Sequence, residues 1–302
     1  MKKILVNWLI FVALSIIWGS SFILMKIGLD NHLGPYQLAA LRIVFAGLVL
    51  LPTTIKHIRH IPKYQLFLVF MSGTLGSLLP AFLFCMAEEG IESSLAGTLN
   101  CLTPIFVIVT GAVFYKTNTS QNKIVGIGIA FIGSFLLLFS KGHMHESQHL
   151  IFVSFVVLAA LFYGFNVNMV AKHLLTIPSL HIAAVALSLN AIPAMLVLIF
   201  TGFFTMPFVN HQNHQLLIAV GAAAFLGIIG TAFASIIFYT LVKRAGGIFA
   251  SMVTYGIPFV AIGWGIFYGE VYNYKQIGCL LMILAGVYWG NKKEGFNKKT
   301  SS

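Results

Sequence analysis

The chain has 302 residues, 59% hydrophobic and only 8% charged, with mean hydropathy +0.93 and a formal net charge of +11. A soluble domain carries about 25% charged residues, so this sequence is too poor in polar surface to be offered to water, and its exterior suits lipid. The basic residues are scattered among short loops and form no stripe interleaved with aromatics, which speaks against a nucleic-acid surface; Cys85, Cys101 and Cys279 sit singly in apolar runs, without disulfide, metal or redox spacing.

The chain opens on Met1-Lys2-Lys3 and an apolar run that includes Ala13-Leu14-Ser15, small residues at cleavage-like spacing. The run continues to about Ile27, longer than the core of a signal sequence and long enough to span a bilayer, so a retained first helix is expected. Nine further apolar runs follow, at Tyr36–Ile55, Gln65–Ala87, Ser94–Tyr115, Ile124–Phe139, Leu150–Ala171, Leu180–Phe203, Gln215–Leu241, Ile248–Tyr268 and Gln276–Trp289. All should be helices, because an open strand in lipid leaves backbone groups unpaired. Ten spans of about 20 residues use roughly 200 residues, leaving short loops and no separate soluble domain.

Orientation follows from the Lys and Arg positions. With a cytoplasmic N-terminus, 14 of the 18 basic residues fall on inside segments, and only Lys26, Lys141 and Lys275 fall outside. Arg42 lies within a helix. That asymmetry follows the positive-inside rule and puts both termini in the cytoplasm.

The fourth and ninth runs repeat one another. SLAGTLNCLTPIFVIVTGAVFY and IFASMVTYGIPFVAIGWGIFY align Pro104 with Pro258, Ala96 with Ala250 and Gly111 with Gly265 at one offset of 154 residues. Trp18-Gly19 matches Tyr163-Gly164, Gln37-Leu38-Ala39-Ala40 matches His181-Ile182-Ala183-Ala184, and Leu75-Gly76 matches Leu226-Gly227. Five helices per half is an odd number, so the second half enters the membrane from the opposite side. The expected fold is an all-α polytopic membrane protein of ten transmembrane helices in two inverted five-helix repeats, residues 1–142 and 149–290, with a basic cytoplasmic tail at 291–302.

These segments, with WGSSFILMKIGL and PYQLAALRIVFAGLVLLP, resemble the EamA-type drug/metabolite transporters over about Trp8 to Trp289. The resemblance implies a multi-pass inner-membrane permease for small metabolites, often amino acids. The family tends to end both broken helices with Gly-Glu; here the second ends with Gly269-Glu270 but the first with Tyr115-Lys116. Inversion sends these two ends to opposite faces, and a lysine is favoured on the inner one.

The substrate pathway is expected where proline interrupts the repeated helices. Pro104 removes a donor and crowds the carbonyl of Asn100, so Asn100 and Thr103, with Thr254, Tyr255 and Pro258 in the second copy, can hold a polar group at mid-membrane. Either copy can instead be a kink satisfied by a neighbouring helix. Trp18, Tyr163 and Tyr239 offer aromatic walls. Asn166 follows the Tyr163 face at i+3, whereas Asn168, two residues on, faces elsewhere and suits packing. Arg42 either snorkels to an interface or is a counter-charge for a substrate carboxylate.

No Asp or Glu lies in the middle of any run; Glu88, Glu89 and Glu92 cluster at the outer end of the third helix and its loop and read as solvated loop residues, with Glu88 or Glu89 guarding an outer mouth as the alternative. The missing mid-membrane carboxylate argues against proton exchange for cationic drugs. His143, His145 and His149 lack a convincing ligand set, so no metal is expected. The sequence has no HExxH, GxSxG or P-loop, so neither an enzyme nor a cofactor is expected. The expected function is secondary, ATP-independent transport of a small amphipathic metabolite, an amino acid or related compound, by alternating access. Multidrug efflux is the alternative, and a membrane-embedded enzyme a distant third.

Overall fold

The computed structural model describes residues 2–139, 149–206, 214–267 and 274–291, and every regular element among them is helical. The tail after Asn291, the loop with His143 and His145, Tyr268 and the Gly269-Glu270 pair lie outside the described residues. In chain order, α1 is Lys2–Asp30, α2 is Pro35–His57, and α3 runs as Lys63–Gly73, a π-helical Thr74–Leu78 and Leu79–Ala87. α4 comprises Ser93–Leu99, a 3-10 turn Asn100–Leu102 and Thr103–Tyr115. α5 is Gln121–Phe139, α6 is His149–His173 and α7 is Ser179–Phe200. α8 runs as His214–Phe225, a π-helical Leu226–Phe233 and Ala234–Ala245. α9 comprises Gly247–Ser251, a 3-10 turn Met252–Gly256 and Ile257–Phe267, and α10 is Tyr274–Asn291.

Seven of these helices, α1 to α4 and α6 to α8, are long and apolar enough to cross a membrane. Two others contain shorter apolar stretches, Gln121–Leu137 in α5 and Gly247–Val260 in α9. Large side chains such as Leu9, Phe67, Phe114, Phe200 and Leu281 are exposed around the outside, as a lipid-facing surface requires.

The helix ends are set by local chemistry. Pro35 begins α2 where its missing N–H costs nothing. Gln37 accepts the Gly34 N–H at 3.1 Å and donates to the Thr201 carbonyl at 3.1 Å, tying the start of α2 to the end of α7. At the end of α4, Lys116 turns the chain in the left-handed region with φ 52°. The Lys172 ammonium donates to the Tyr115 carbonyl at 2.7 Å, a favourable place for a cation at a helix C-terminus.

Packing is most extensive between α2 and α7 and between α5 and α10. Inside the first pair, Ser188 donates to the Gly47 carbonyl at 3.0 Å and shares a 2.8 Å hydrogen bond with Thr54. The second pair meets backbone to backbone: a Cβ at Gly286 would lie 2.4 Å from the Ala130 nitrogen and 2.6 Å from the Gly126 carbonyl. Small residues at helix contacts allow this approach where lipid supplies no hydrophobic drive. Gly286→Val should therefore cost about 1–3 kcal/mol through overpacking, read as a lowered melting temperature of the detergent-solubilised protein. Gly278→Val, where a Cβ meets nothing within 4 Å, is the control. Equal melting temperatures for the two variants would refute the close α5–α10 contact.

Candidate functional site

The 3-10 turns of α4 and α9 fall immediately before Pro104 and Pro258, as expected of helices that a proline loosens. The two breaks touch each other. The Cys101 thiol donates to the Thr254 carbonyl at 3.4 Å, and Thr103 donates to the Asn100 side-chain oxygen at 3.0 Å. Ser15 of α1 donates to the Val253 carbonyl at 3.1 Å. Carbonyls released by the breaks thus find donors within the protein, the condition for irregular backbone at membrane depth.

Beside this crossing lies a cleft of about 790 Å3, a volume that includes the space at its open side. It brings together Trp18, Arg42, Asn100, Thr103, Tyr163, Asn166, Tyr239 and Thr254, all candidates from the sequence. Pro104, Tyr255 and Pro258 do not line it. The Tyr255 hydroxyl donates to the Ile127 carbonyl at 3.0 Å and holds α9 against α5, so its expected place in the pathway is corrected to a packing position. The prolines shape the breaks from behind the cleft wall.

The aromatic-glycine pairs have a geometric reason. A Cβ at Gly19 would lie 2.6 Å from the Val260 Cβ of α9, and one at Gly164 would lie 2.9 Å from the Phe106 carbonyl group of α4. Each glycine lets its helix lie against a broken helix, and the preceding aromatic, Trp18 or Tyr163, faces the cleft. The π-helical stretches do similar work. Around Gly227, α8 approaches the Arg42 carbonyl, at 2.5 Å from the position of a Cβ, and around Gly76, α3 receives the Asn166 side chain. Trp18 Nε1 donates to the Gly230 carbonyl at 3.1 Å, and Thr231 Oγ1 donates to the Leu226 carbonyl at 3.0 Å. Sequence reasoning missed Thr231, Gly230 and Ser251 on the cleft wall; the repeated Leu-Gly pair was the available signal for a π stretch, a feature common at functional sites.

Arg42 donates through Nε to Thr231 Oγ1 at 2.7 Å, and its Nη1 approaches Met25 Sδ at 3.8 Å. No carboxylate is in ion-pair range of it among the described residues. Tyr239 donates to the Ser72 carbonyl at 3.4 Å. Asn166 is 2% exposed and its Oδ1 has no hydrogen-bond partner, whereas Asn168 donates to the Val107 and Gly164 carbonyls at 2.8 and 3.0 Å. Glu88, expected as a solvated loop residue, is instead buried at 3% exposure, because its side chain turns inward at the α3–α4 junction; Glu89 and Glu92 are exposed as expected.

A model of the EamA-like transporter family matches residues 6–139 and again 150–291. The chain belongs to the EamA-like transporter family. Members of this family are transporters rather than enzymes. An uncharacterized transporter of Archaeoglobus fulgidus is 26% identical over 95% of this chain and 98% of its own length. Protein PagO of Salmonella typhimurium is 21% identical over 95% and 93%. A probable amino-acid metabolite efflux pump of Escherichia coli is 31% identical over 49% of this chain and 47% of its own. A solved crystal structure shares the fold with TM-score 0.68 and 15% identity, covering 94% of this chain and 96% of that one.

The two asparagines give a contrast. Asn168→Leu removes bonds that join α6 to α4 and should destabilise the protein by about 1 kcal/mol, a fall in melting temperature. Asn166→Leu breaks no bond to its Oδ1 and loses only the contact of its amide with Tyr239, so its melting temperature should fall less than that of Asn168→Leu. The reverse order would refute the division between a packing and a cleft asparagine.

Proposed function

We propose that this EamA-like chain is a secondary transporter of a small amphipathic metabolite, an amino acid or related compound, working by alternating access at the cleft. The observation that carries the reading is the meeting of two broken helices beside a cleft that holds one cation without a carboxylate partner. Arg42 would bind the substrate carboxylate, Asn100, Thr103, Asn166 and Thr254 would hold its polar groups, and Trp18, Tyr163 and Tyr239 would flank its apolar part. The name of the Escherichia coli relative, a probable amino-acid metabolite efflux pump, supports this substrate class. A positive side chain in the cleft disfavours the cationic drugs of the multidrug alternative.

In the same reading the halves at residues 1–142 and 149–290 are five-helix repeats of opposite topology, giving ten spans in the inner membrane with both termini and the basic 291–302 tail in the cytoplasm. Helices α2 and α7, α5 and α10, and the breaks of α4 and α9 are matching members of the two halves, and each pair is in contact, which suits a two-fold axis lying in the membrane.

Proteoliposomes loaded with a panel of amino acids should release at least one carboxylate-bearing metabolite faster than protein-free vesicles. Arg42→Gln should raise its half-saturation concentration by about tenfold or more, as loss of a charge-assisted hydrogen bond worth about 1.5–3 kcal/mol predicts. Asn100→Ala should also weaken transport, with membrane insertion preserved. No flux above protein-free vesicles for any member of the panel would sink the proposal.

A further inference from the structure

Two aromatic rings form part of the cleft wall. Phe22 of α1 and Phe84 of α3 both line it, and they pack edge to face with centroids 5.6 Å apart. Glu88 lies one helical turn beyond Phe84, on the same side of the helix, and its N–H donates to the Phe84 carbonyl at 3.0 Å. Ser93, the first residue of α4, bridges the two helices: its hydroxyl is 3.0 Å from Glu88 Oε2 and 3.4 Å from the Phe22 carbonyl. The α3–α4 turn is held down by buried Ile91 and by the Phe152 ring of α6, which lies 2.0 Å from where a Cβ of Gly90 would be.

The carboxyl enclosed here is 3% exposed, and its Oε1 has no hydrogen-bond partner. A buried carboxylate with one orphan oxygen is costly, and taking up a proton is the usual relief. We propose that Glu88 is a proton-binding site that links proton uptake to closure of this end of the transport pathway. This rests on the transporter reading above. In the closed form the carboxyl carries a proton. Opening separates the α3–α4 turn from α1 and α6, water reaches Glu88, and the proton leaves to the solution on that side. Closing takes it back, so each opening and closing exchanges one proton at one face.

The surrounding charges fit this assignment. From α1, Lys26 and Asp30 face the site as an ion pair at 2.9 Å, half-exposed or more, and act on it in opposite directions, the lysine more strongly. Arg42 from α2 favours the charged form, and Tyr36 stands at the start of the same helix. α6 contributes Tyr163, and α3 itself Cys85 and the exposed Glu89. Burial outweighs the cations and pushes the Glu88 carboxyl well above the usual carboxylate range. A group whose pKa is raised in the closed form favours that form at low pH, and the preference fades as pH rises through the raised value.

Cys85 reports on the closure. It is fully buried one turn before Glu88, with its thiol 3.8 Å from Met25 Sδ, so a membrane-impermeant maleimide reaches it only when this end opens. In a Cys101→Ser, Cys279→Ser background, the labelling rate should be measured with Glu88 intact and with Glu88→Gln, in proteoliposomes without substrate. The ratio of the two rates removes the pH dependence that the thiol shows without Glu88; the charge of Glu88 itself disfavours the nearby thiolate and so works against the expected rise. The ratio should rise about tenfold between about pH 6 and pH 8, within the tenfold-per-unit ceiling of one-proton linkage. Glu88→Asp should keep the pH dependence and Glu89→Gln should leave it unchanged. A flat ratio overturns the proposal, even where metabolite flux is intact. If Glu88→Gln does not fold, the infrared spectrum of the unmodified protein decides: with only 7 Asp and Glu in the chain, one protonated-carboxyl band should persist at neutral pH, and its absence overturns the assignment.

Discussion

Backbone hydrogen bonding in hydrocarbon is the constraint on which this structure depends. A helix satisfies its own carbonyls and N–H groups, so a chain that crosses lipid has no polar backbone left with which to hold a cargo. Breaking a helix releases such groups, and the break survives only where other protein groups answer them. Here the breaks in α4 and α9 answer each other, through the Cys101 thiol and the Thr254 carbonyl, with Ser15 supplying a further donor. The π-helical stretches of α3 and α8 are a second form of the same device. They present Gly76 and Gly230 to the cleft, and the freed Gly230 carbonyl is taken up by Trp18. Everything polar in the cleft is therefore arranged around four interruptions of regular helix.

Arg42 is the exception to this neutral design. A charged residue at a helix centre costs about 2.5–3.5 kcal/mol on insertion scales, and the bonds seen here, to one threonine hydroxyl and near one thioether, compensate it only partly. Snorkelling to an interface would have been the cheaper solution. The side chain instead lines the cleft, and Gly227 allows α8 to approach α2 closely enough for Thr231 to reach the guanidinium. In the proposed reading, an anion in the cleft would complete the arginine's coordination, and the residue that costs stability would then give the cleft its selectivity by sign of charge.

The sequence made the helices legible because lipid removes every alternative to them, and the prolines located the breaks to within a residue. Side-chain direction was less legible. Tyr255 aligned with the pathway by repeat, yet its ring packs fully and its hydroxyl ends on α5, because a 3-10 turn rotates successive side chains differently from an α-helix. Asn166 and Asn168 separated correctly, since the α6 helix is regular there and two residues apart means opposite faces. The π stretches were not foreseen, although the repeated Leu-Gly pair marked them; one extra residue per turn leaves no trace in a hydrophobic run. Glu88 escaped for a different reason. Loop position argued for solvent, and burial came from Ser93, Ile91 and Phe152, contacts that no local pattern encodes.

The two halves share backbone features but not side-chain chemistry, and that difference bears on how each end of the cleft would respond to charge and pH. Glycine lets α1 lie on α9 and α6 lie on α4 in matching ways, contacts about which the proposed alternating access would rock. The charged groups have no such match. Arg42 of the first half aligns with a position in α7 that carries no cation, and the buried Glu88 stands at only one end of the cleft. A cargo with one anionic end would be held in a single orientation, and a proton would enter and leave through one face only. In the transporter reading, symmetry in the backbone would make two openings possible and asymmetry in the side chains would make them unequal in the pH and the cargo orientation each favours, while the direction of net movement is set by the gradients across the membrane.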